Sequence, residues 1–423
     1  MREMKDSGIE WIGQIPKEWN LGRIKYYSEV TLGKMLQNEP KGNFDTNEYY
    51  LCAANIGSFT LNLNSIKKMW FSKAEKNKLN LSKGDLLVIE GGDVGSCVYL
   101  EKDLPNIYFQ NSINRVKSNY KLDIRLIKYI LFLAKKVGYI DLICNKATIS
   151  HLTKEKLEEI FCIVPENEEQ QQIADFLDTK CFEIDATAED IQKEISLLED
   201  YKKSVITEAV TKGLNPDAEM KDSGIEWVGK VPVTWKIMPN KYIMTKKKVI
   251  KEVYDDENII SLSMNGVIVR DLEAGGKMPK TFDGYQIVYP GNLLMCLFDY
   301  DVTPRCIGLI KDYGVTSPAY SQFVMNNDNY SGYYYYYYLM IDHAKTLLHL
   351  AKNLRHSFTE EQLGAILAPV PTVEEQYQIV NYLDTKCSEI DTLIADKKRQ
   401  LDTLADYKKS LIYEYVTGKK EVI

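Results

Sequence analysis

The strongest constraint on this chain is that it contains one plan twice. Met4-Lys-Asp-Ser-Gly-Ile-Glu-Trp11-Ile-Gly13-Gln-Ile-Pro16 returns as Met220-Lys-Asp-Ser-Gly-Ile-Glu-Trp227-Val-Gly229-Lys-Val-Pro232, and Trp19 and Trp235 keep the same offset. A second pair of blocks follows in each half. Glu168-Glu-Gln170, Leu177-Asp-Thr-Lys-Cys181 and Tyr201-Lys-Lys-Ser204 match Glu374-Glu-Gln376, Leu383-Asp-Thr-Lys-Cys387 and Tyr407-Lys-Lys-Ser410. Between these blocks lie residues 17–167 and 233–373, which do not visibly resemble each other. A fixed-offset repeat of this kind means two copies of one structural unit.

The segments after Pro165 and Pro371 read as long helices. With Leu177 at heptad position d, that position also holds Ile184, Ile191, Leu198 and Val205, while position a holds Cys181, Ala188, Ile195, Lys202 and Ala209. The second copy places Leu383, Ile390, Lys397, Leu404 and Leu411 at d, and Cys387, Ile394, Leu401, Lys408 and Tyr415 at a. A sustained seven-residue repeat predicts a left-handed coiled coil. Thr372-Val-Glu-Glu375 has the form of a capping box, and Gly213 with Pro216, and Gly418, mark the stops. Helices of this size rise by about 1.5 Å per residue into rods some 65 Å long, roughly twice the diameter of a small domain. Two such helices in one chain most simply pair with each other, antiparallel if the halves are related by a pseudo-twofold axis.

Charge is distributed by segment. Residues 17–160 carry 22 basic and 16 acidic side chains, residues 233–366 carry 14 of each, and the helical stretch 166–210 carries 4 and 13. The overall charge of −7 is therefore concentrated on a helix, and the first variable segment is basic enough to sit on phosphates. The longest apolar runs fall far short of the ~18–20 residues of a membrane span, so no membrane is expected and the cytoplasm is the expected compartment. Eight scattered cysteines, without a CxxC pair, and only four histidines point to buried free thiols and away from a metal centre.

Each variable segment mixes short apolar strands with helical stretches, an α/β domain of the mixed α+β kind. Gly84-Asp-Leu-Leu-Val-Ile-Glu90-Gly-Gly92 reads as turn, buried strand and glycine loop, and Gly291 to Asp299 is its counterpart. The tyrosines at 333–338 are expected to pack a helix on a sheet. No catalytic signature survives inspection. Gly224-Ile-Glu-Trp-Val-Gly229-Lys230 has phosphate-loop spacing but continues into Val231 rather than Ser or Thr. Pro216-Asp217-Ala-Glu219-Met-Lys221 lies in a connector, and no glycine-rich nucleotide loop or amino-methyltransferase tetrapeptide is present.

The Gly-Ile-Glu-Trp-(Ile/Val)-Gly-x-(Ile/Val)-Pro-x-x-Trp block, given twice, together with the Glu-Glu-Gln-x-x-Ile-x-x-(Phe/Tyr)-Leu-Asp-x-Lys helix starts, resembles the specificity subunit of type I restriction–modification systems. Weaker echoes are Leu32-Gly33-Lys34, Gly91-Gly92-Asp-Val-Gly95, Gln110-Asn111 and Lys146-Ala-Thr148-Ile-Ser150; the second segment departs from them with Asp299-Tyr300-Asp301. The resemblance implies two globular target-recognition domains, residues 1–165 and 214–371, separated by two long antiparallel coiled-coil helices within 166–213 and 372–423. It implies a non-catalytic chain reading a bipartite, asymmetric target on double-stranded DNA, with no cofactor of its own. S-adenosylmethionine is expected on two methyltransferase subunits docked on the helices, and ATP on two restriction subunits that can join them. Two reading heads on one face of B-DNA stand about 34–36 Å apart, one helical turn. A scaffold joining two modules that do not bind DNA is the alternative, and a weak salt dependence of DNA binding would favour it.

Base and phosphate contacts call for amide, carboxylate and basic side chains. The expected set is Lys34, Gln37, Glu90, Asp93, Gln110, Asn111, Lys146 and Ser150 in the first domain, and Lys246, Lys247, Asp299, Tyr300, Arg305, Tyr320, Asn353 and Arg355 in the second. A chain of this kind, incubated alone with DNA and radiolabelled S-adenosylmethionine, should transfer no methyl group; incorporation above background would show a methyltransferase centre in the chain itself.

Overall fold

The computed structural model describes residues 2–119, 121–144, 151–273, 279–351 and 356–422. The chain forms two compact units, one of residues 1–191 with 399–423, the other of residues 192–398.

In the first unit an antiparallel sheet is built from β1 (Ser28–Leu32), β2 (Leu86–Ile89), β3 (Cys97–Tyr99) and β4 (Ile113–Ser118), in the order β1-β4-β2-β3. In the second unit β5 (Met244–Lys247), β6 (Leu293–Met295), β7 (Ile307–Leu309) and β8 (Ser321–Met325) are ordered β5-β8-β6-β7. The two orders are the same. The variable segments therefore share a sheet whose strands are too short, and too differently composed, to align by eye. A helix packs on each sheet: α1 (Ile124–Lys136) in the first unit and, later in the chain, the tyrosine-rich helix Ser331–His343 in the second.

Two helices dominate the remaining structure: α2, Asn167–Lys212, of 46 residues, and α4, Val373–Val416, of 44, with α3 denoting Ser331–His343 between them. Thr372 caps α4 as the sequence implies: its hydroxyl accepts from the Glu375 amide at 3.3 Å, and the Glu375 carboxylate accepts from the Thr372 amide at 3.1 Å. Gly213 and Gly418 follow the two helices in the left-handed conformation that ends them. Each helix starts in one unit and ends in the other, and within each unit the start of one meets the end of the other, so the pairing is antiparallel. In the first unit Phe176 packs at a tilt against Tyr415 with ring centres 4.4 Å apart, and Leu177, Cys181, Ile184, Leu411 and Ile412 join the domain core. Each such buried aliphatic side chain contributes about 1.5–3 kcal/mol.

Both lysines at heptad position a meet an aspartate of the opposite helix. Lys408 lies 2.7 Å from Asp185 in the first unit, and Lys202 lies 2.6 Å from Asp391 in the second. Charged pairs at the seam favour one register over its slips, and Lys397 at position d adds a third on Glu194 at 2.5 Å.

The repeated blocks form the joints between these helices and the globular parts. Met4–Asp6 pairs with Gln14–Pro16, and Met220–Asp222 with Lys230–Pro232, as antiparallel hairpins. The hairpin lysines reach back to the following turn: Lys5 donates to the carbonyls of Lys17 and Trp19, Lys221 to those of Val233 and Trp235. Trp19 and Trp235 are wholly buried, and each indole N–H donates to the second glutamate of a Glu-Glu-Gln block, Glu169 at 2.8 Å and Glu375 at 3.2 Å. The buried glutamine after it closes the joint. Gln170 accepts from the Asp123 amide at the start of α1 (2.8 Å) and donates to Pro165 O (2.9 Å). Gln376 accepts from the Tyr330 amide at the start of α3 (2.7 Å) and donates to Pro371 O (3.1 Å).

The tyrosine tract packs as expected. Tyr333, Tyr334, Tyr336, Tyr337 and Tyr338 are buried, and the hydroxyls are anchored, among them Tyr333 on Val210 O (2.8 Å) and Tyr336 on Asp384 (2.7 Å). Tyr129 does the same on Asp178 at 2.6 Å in the first unit. The Leu-Asp-Thr-Lys aspartates are thus receptors for a tyrosine of the domain helix, a structural duty.

Gln376→Leu leaves the Tyr330 amide and the Pro371 carbonyl unpaired and should cost about 1–3 kcal/mol. A lower urea midpoint with faster amide exchange at the start of α3 is the expected result.

Candidate nucleic-acid interface

Because the sheet strands alternate in direction, the C-terminal ends of β1 and β2 lie at the same edge as the N-terminal ends of β3 and β4. Lys34, Glu90, Asp93, Gln110 and Asn111 all follow or precede those ends, and the fold brings them together. Gly33 makes the closest approach: a Cβ there would stand 2.2 Å from the Gln110 carbonyl oxygen, so only glycine lets the two segments run side by side. The Lys34 amide then donates to Phe109 O at 3.0 Å, and the Asn111 amide to Lys34 O at 2.9 Å. Gln110 and Asn111 are half-buried, held by their backbones.

The charged members are already engaged. Lys34 is 9% exposed in its side chain and lies 2.5 Å from Glu75. Burial works to raise the Glu75 carboxyl, but hydrogen bonds from Lys34 and Ser72 hold it below its ordinary range. Asp93 is bound by Lys135 at 2.5 Å and by the Ser96 hydroxyl at 2.5 Å; these contacts outweigh burial and lower its pKa. Glu90 is locked through its backbone, donating to Ser112 O and accepting from the Leu152 amide, and its carboxylate accepts from Asn114 at 3.2 Å. Burial is the chief cause of its raised pKa. Gln37 is buried, bracing its own loop by donating to Glu39 O and Asp45. Lys146 and Ser150 lie outside the described residues; the neighbouring His151 forms a backbone bridge with Gly91.

The same edge of the second sheet gathers Lys247, Asp299, Arg305 and Tyr320, at the ends of β5, β6, β7 and β8. Lys247 holds its ammonium 3.8 Å from the centre of the Tyr289 ring, and Lys246, one residue earlier, is paired with Glu360. Asp299 adopts a left-handed backbone, and its carbonyl accepts from the Thr303 amide at 2.9 Å, which makes this a tight turn in place of the glycine loop. Arg305 is engaged through each of its three guanidinium nitrogens: it donates to Met264 O (3.0 Å), Ile307 O (3.1 Å) and the Tyr335 hydroxyl (2.5 Å). Tyr320 is half-buried and stacks with Phe298. Tyr300 sits in the core, 5% exposed and edge-on to Phe358, and burial raises its hydroxyl pKa. Asn353 and Arg355 lie outside the described residues.

Sequence reasoning passed over one exposed group. Tyr49 stands opposite Lys68 across the pairing of Thr46–Leu51 with Lys67–Phe71, with the Lys68 ammonium 4.4 Å from the ring centre. Phe44, at the head of the preceding loop, is 90% exposed. A lysine interleaved with aromatic residues in a basic stretch was the available signal. Among the described residues there is no cluster of three potential metal ligands and no helix long and apolar enough to cross a membrane.

The raised Glu90 pKa fixes a sign. Its contribution to stability is fully present below the ordinary Glu value of 4.5 and is lost as pH rises through the higher folded value. Glu90→Gln should therefore raise the urea midpoint of the first unit at pH 7, with the gain fading as pH falls through the raised folded value and absent below about pH 4.5.

Comparison with known proteins agrees with these features. Residues 16–197 match the family described as the type I restriction modification DNA specificity domain. The type I restriction enzyme MjaVIII specificity subunit of Methanocaldococcus jannaschii is 22% identical over 97% of this chain and 94% of its own length. A solved chain from work on complex assembly and conformational transition of the type I restriction–modification system shares the fold. It superposes with a TM-score of 0.69 at 12% identity, covering 95% of this chain and 98% of that one. With the duplicated blocks accounted for as joints, the chain is similar over its whole length to type I restriction enzyme specificity subunits, and residues 16–197 carry the likeness to the DNA specificity domain.

Proposed function

We propose that residues 1–165 and 214–371 are two target-recognition domains, each reading one half of a bipartite, asymmetric sequence on double-stranded DNA. The helices within 166–213 and 372–423 set the unread gap and dock two methyltransferase subunits; two ATP-driven restriction subunits can join that core. S-adenosylmethionine belongs to the partners, and the cytoplasm is the compartment where such a complex meets DNA.

The observation that carries this reading is the recurrence of one sheet edge in both halves with different side chains on it. The first edge offers Glu90, Gln110 and Asn111, the second Lys247, Asp299 and Tyr320. One scaffold with two sets of polar groups is what an asymmetric target requires, since bases are told apart by the donors and acceptors presented to them. Lys34, Asp93, Lys246 and Arg305, already paired, act by shaping the edge or by exchanging their partners for phosphate. Gln37 and Tyr300 support it from beneath. Lys146, Ser150, Asn353 and Arg355, outside the described residues, complete the proposed set.

The test is to co-express the chain with the methyltransferase subunit encoded beside it and to map N6-methyladenine in the host DNA. A split motif with a fixed gap, lost without this chain, is the expected outcome. Exchanging residues 17–160 for those of a relative should then change one half-site and leave the other. A stable complex that leaves no new motif would overturn the reading in favour of a scaffold.

A further inference from the structure

The loop between β1 and the strand Thr46–Leu51 leaves the proposed reading edge at Lys34 and carries its most apolar side chains outward. Phe44 is 90% exposed, Met35 74% and Leu36 51%. The loop is nevertheless braced. One Asp45 carboxylate oxygen accepts from the amides of Lys41 (2.9 Å) and Gly42 (3.2 Å) and from the side chain of the buried Gln37 (3.3 Å). The Gln37 amide group also donates to Glu39 O at 2.8 Å, and the Trp70 backbone N–H donates to Gln37 O at 3.1 Å. The benzyl group of Phe44 is thus held in solvent by a network whose one buried member is a polar side chain, where collapse onto the domain would be the ordinary outcome for an aromatic ring.

The surroundings identify what receives it. The Trp70–Gln37 bond lays the loop along the edge strand Lys67–Phe71, on which Lys67 and Lys68 are exposed. Residues 67–83 carry six lysines, at 67, 68, 73, 76, 78 and 83, against one acid, Glu75. A projecting ring rimmed by lysines matches a polyanion with stacked flat faces, and apolar side chains inserted between base pairs part the stack and kink the duplex.

We propose that Phe44 is a wedge: it enters the base stack of duplex DNA beside the half-site of the first unit, while Lys67 and Lys68 hold the adjoining phosphates. This rests on the reading of that unit as a DNA-binding domain. The wedge adds affinity and bends the duplex without selecting bases, so it is separable from sequence recognition.

The experiment uses the full chain with its methyltransferase subunit and a duplex carrying the mapped target, dye-labelled at both ends. Wild type should shorten the end-to-end distance. Phe44→Ala should bind about tenfold more weakly and leave the duplex straighter, while methylating the same sequence in cells. Phe44→Trp should restore the bend, with its fluorescence quenched by the bases. Bending and affinity unchanged in Phe44→Ala would overturn the wedge, as would a variant that loses the methyltransferase subunit while keeping DNA, since the ring would then be a protein contact. If wild type confers no methylated motif, the DNA reading falls and the wedge with it; a normal motif on an unbent duplex sinks the wedge alone.

Discussion

Everything else in this chain hangs on a small buried polar joint made twice. At the start of each long helix a glutamate accepts the N–H of a fully buried tryptophan, and the next residue, a glutamine, bridges the end of a strand to the start of the domain helix. A helix of more than 40 residues has many ways to lie on a domain if only apolar contacts hold it. Hydrogen bonds with one geometry remove that freedom, because leaving their donors unpaired in the interior costs more than any sliding gains. The tyrosine hydroxyls on Asp178 and Asp384 repeat the device two turns further on.

Much of this was legible in the residues. The duplication, the heptads and the capping box at Thr372 are local or periodic patterns, and such patterns survive because each is satisfied within a few turns of chain. The lysines at position a carried a readable signal too. Lys202 and Lys408 stand 206 residues apart, as do Asp185 and Asp391, and antiparallel pairing sets each lysine across from an aspartate.

The sheet edges were legible in outline and not in detail. That Gln110 and Asn111 lie beside Lys34 depends on Gly33, whose missing side chain reports close approach without naming the partner. The neutralisation of Lys34 by Glu75, and of Lys246 by Glu360, joins residues far apart in the chain, where no periodicity operates. The burial of Tyr300 and Gln37 was hidden for a similar reason: polar and aromatic types near a turn look like surface groups until the neighbouring segments close over them. The common strand order of the two sheets was hidden because strands of three to six residues need only be apolar on the right face, and many sequences meet that demand.

The division of the chain into units has a consequence for how it is made. The first unit is built from residues 1–191 together with 399–423, and Leu411, Ile412 and Val416 cover the same core as Leu177 and Ile184. During synthesis that core stands uncovered on one side while some 200 further residues emerge, roughly 10–40 s at ordinary elongation rates. The first half of the protein is thus sealed by helical turns made some 200 residues after the rest of its core. The interval is one in which a nascent apolar seam is open to chaperones, or to the matching seam of another chain.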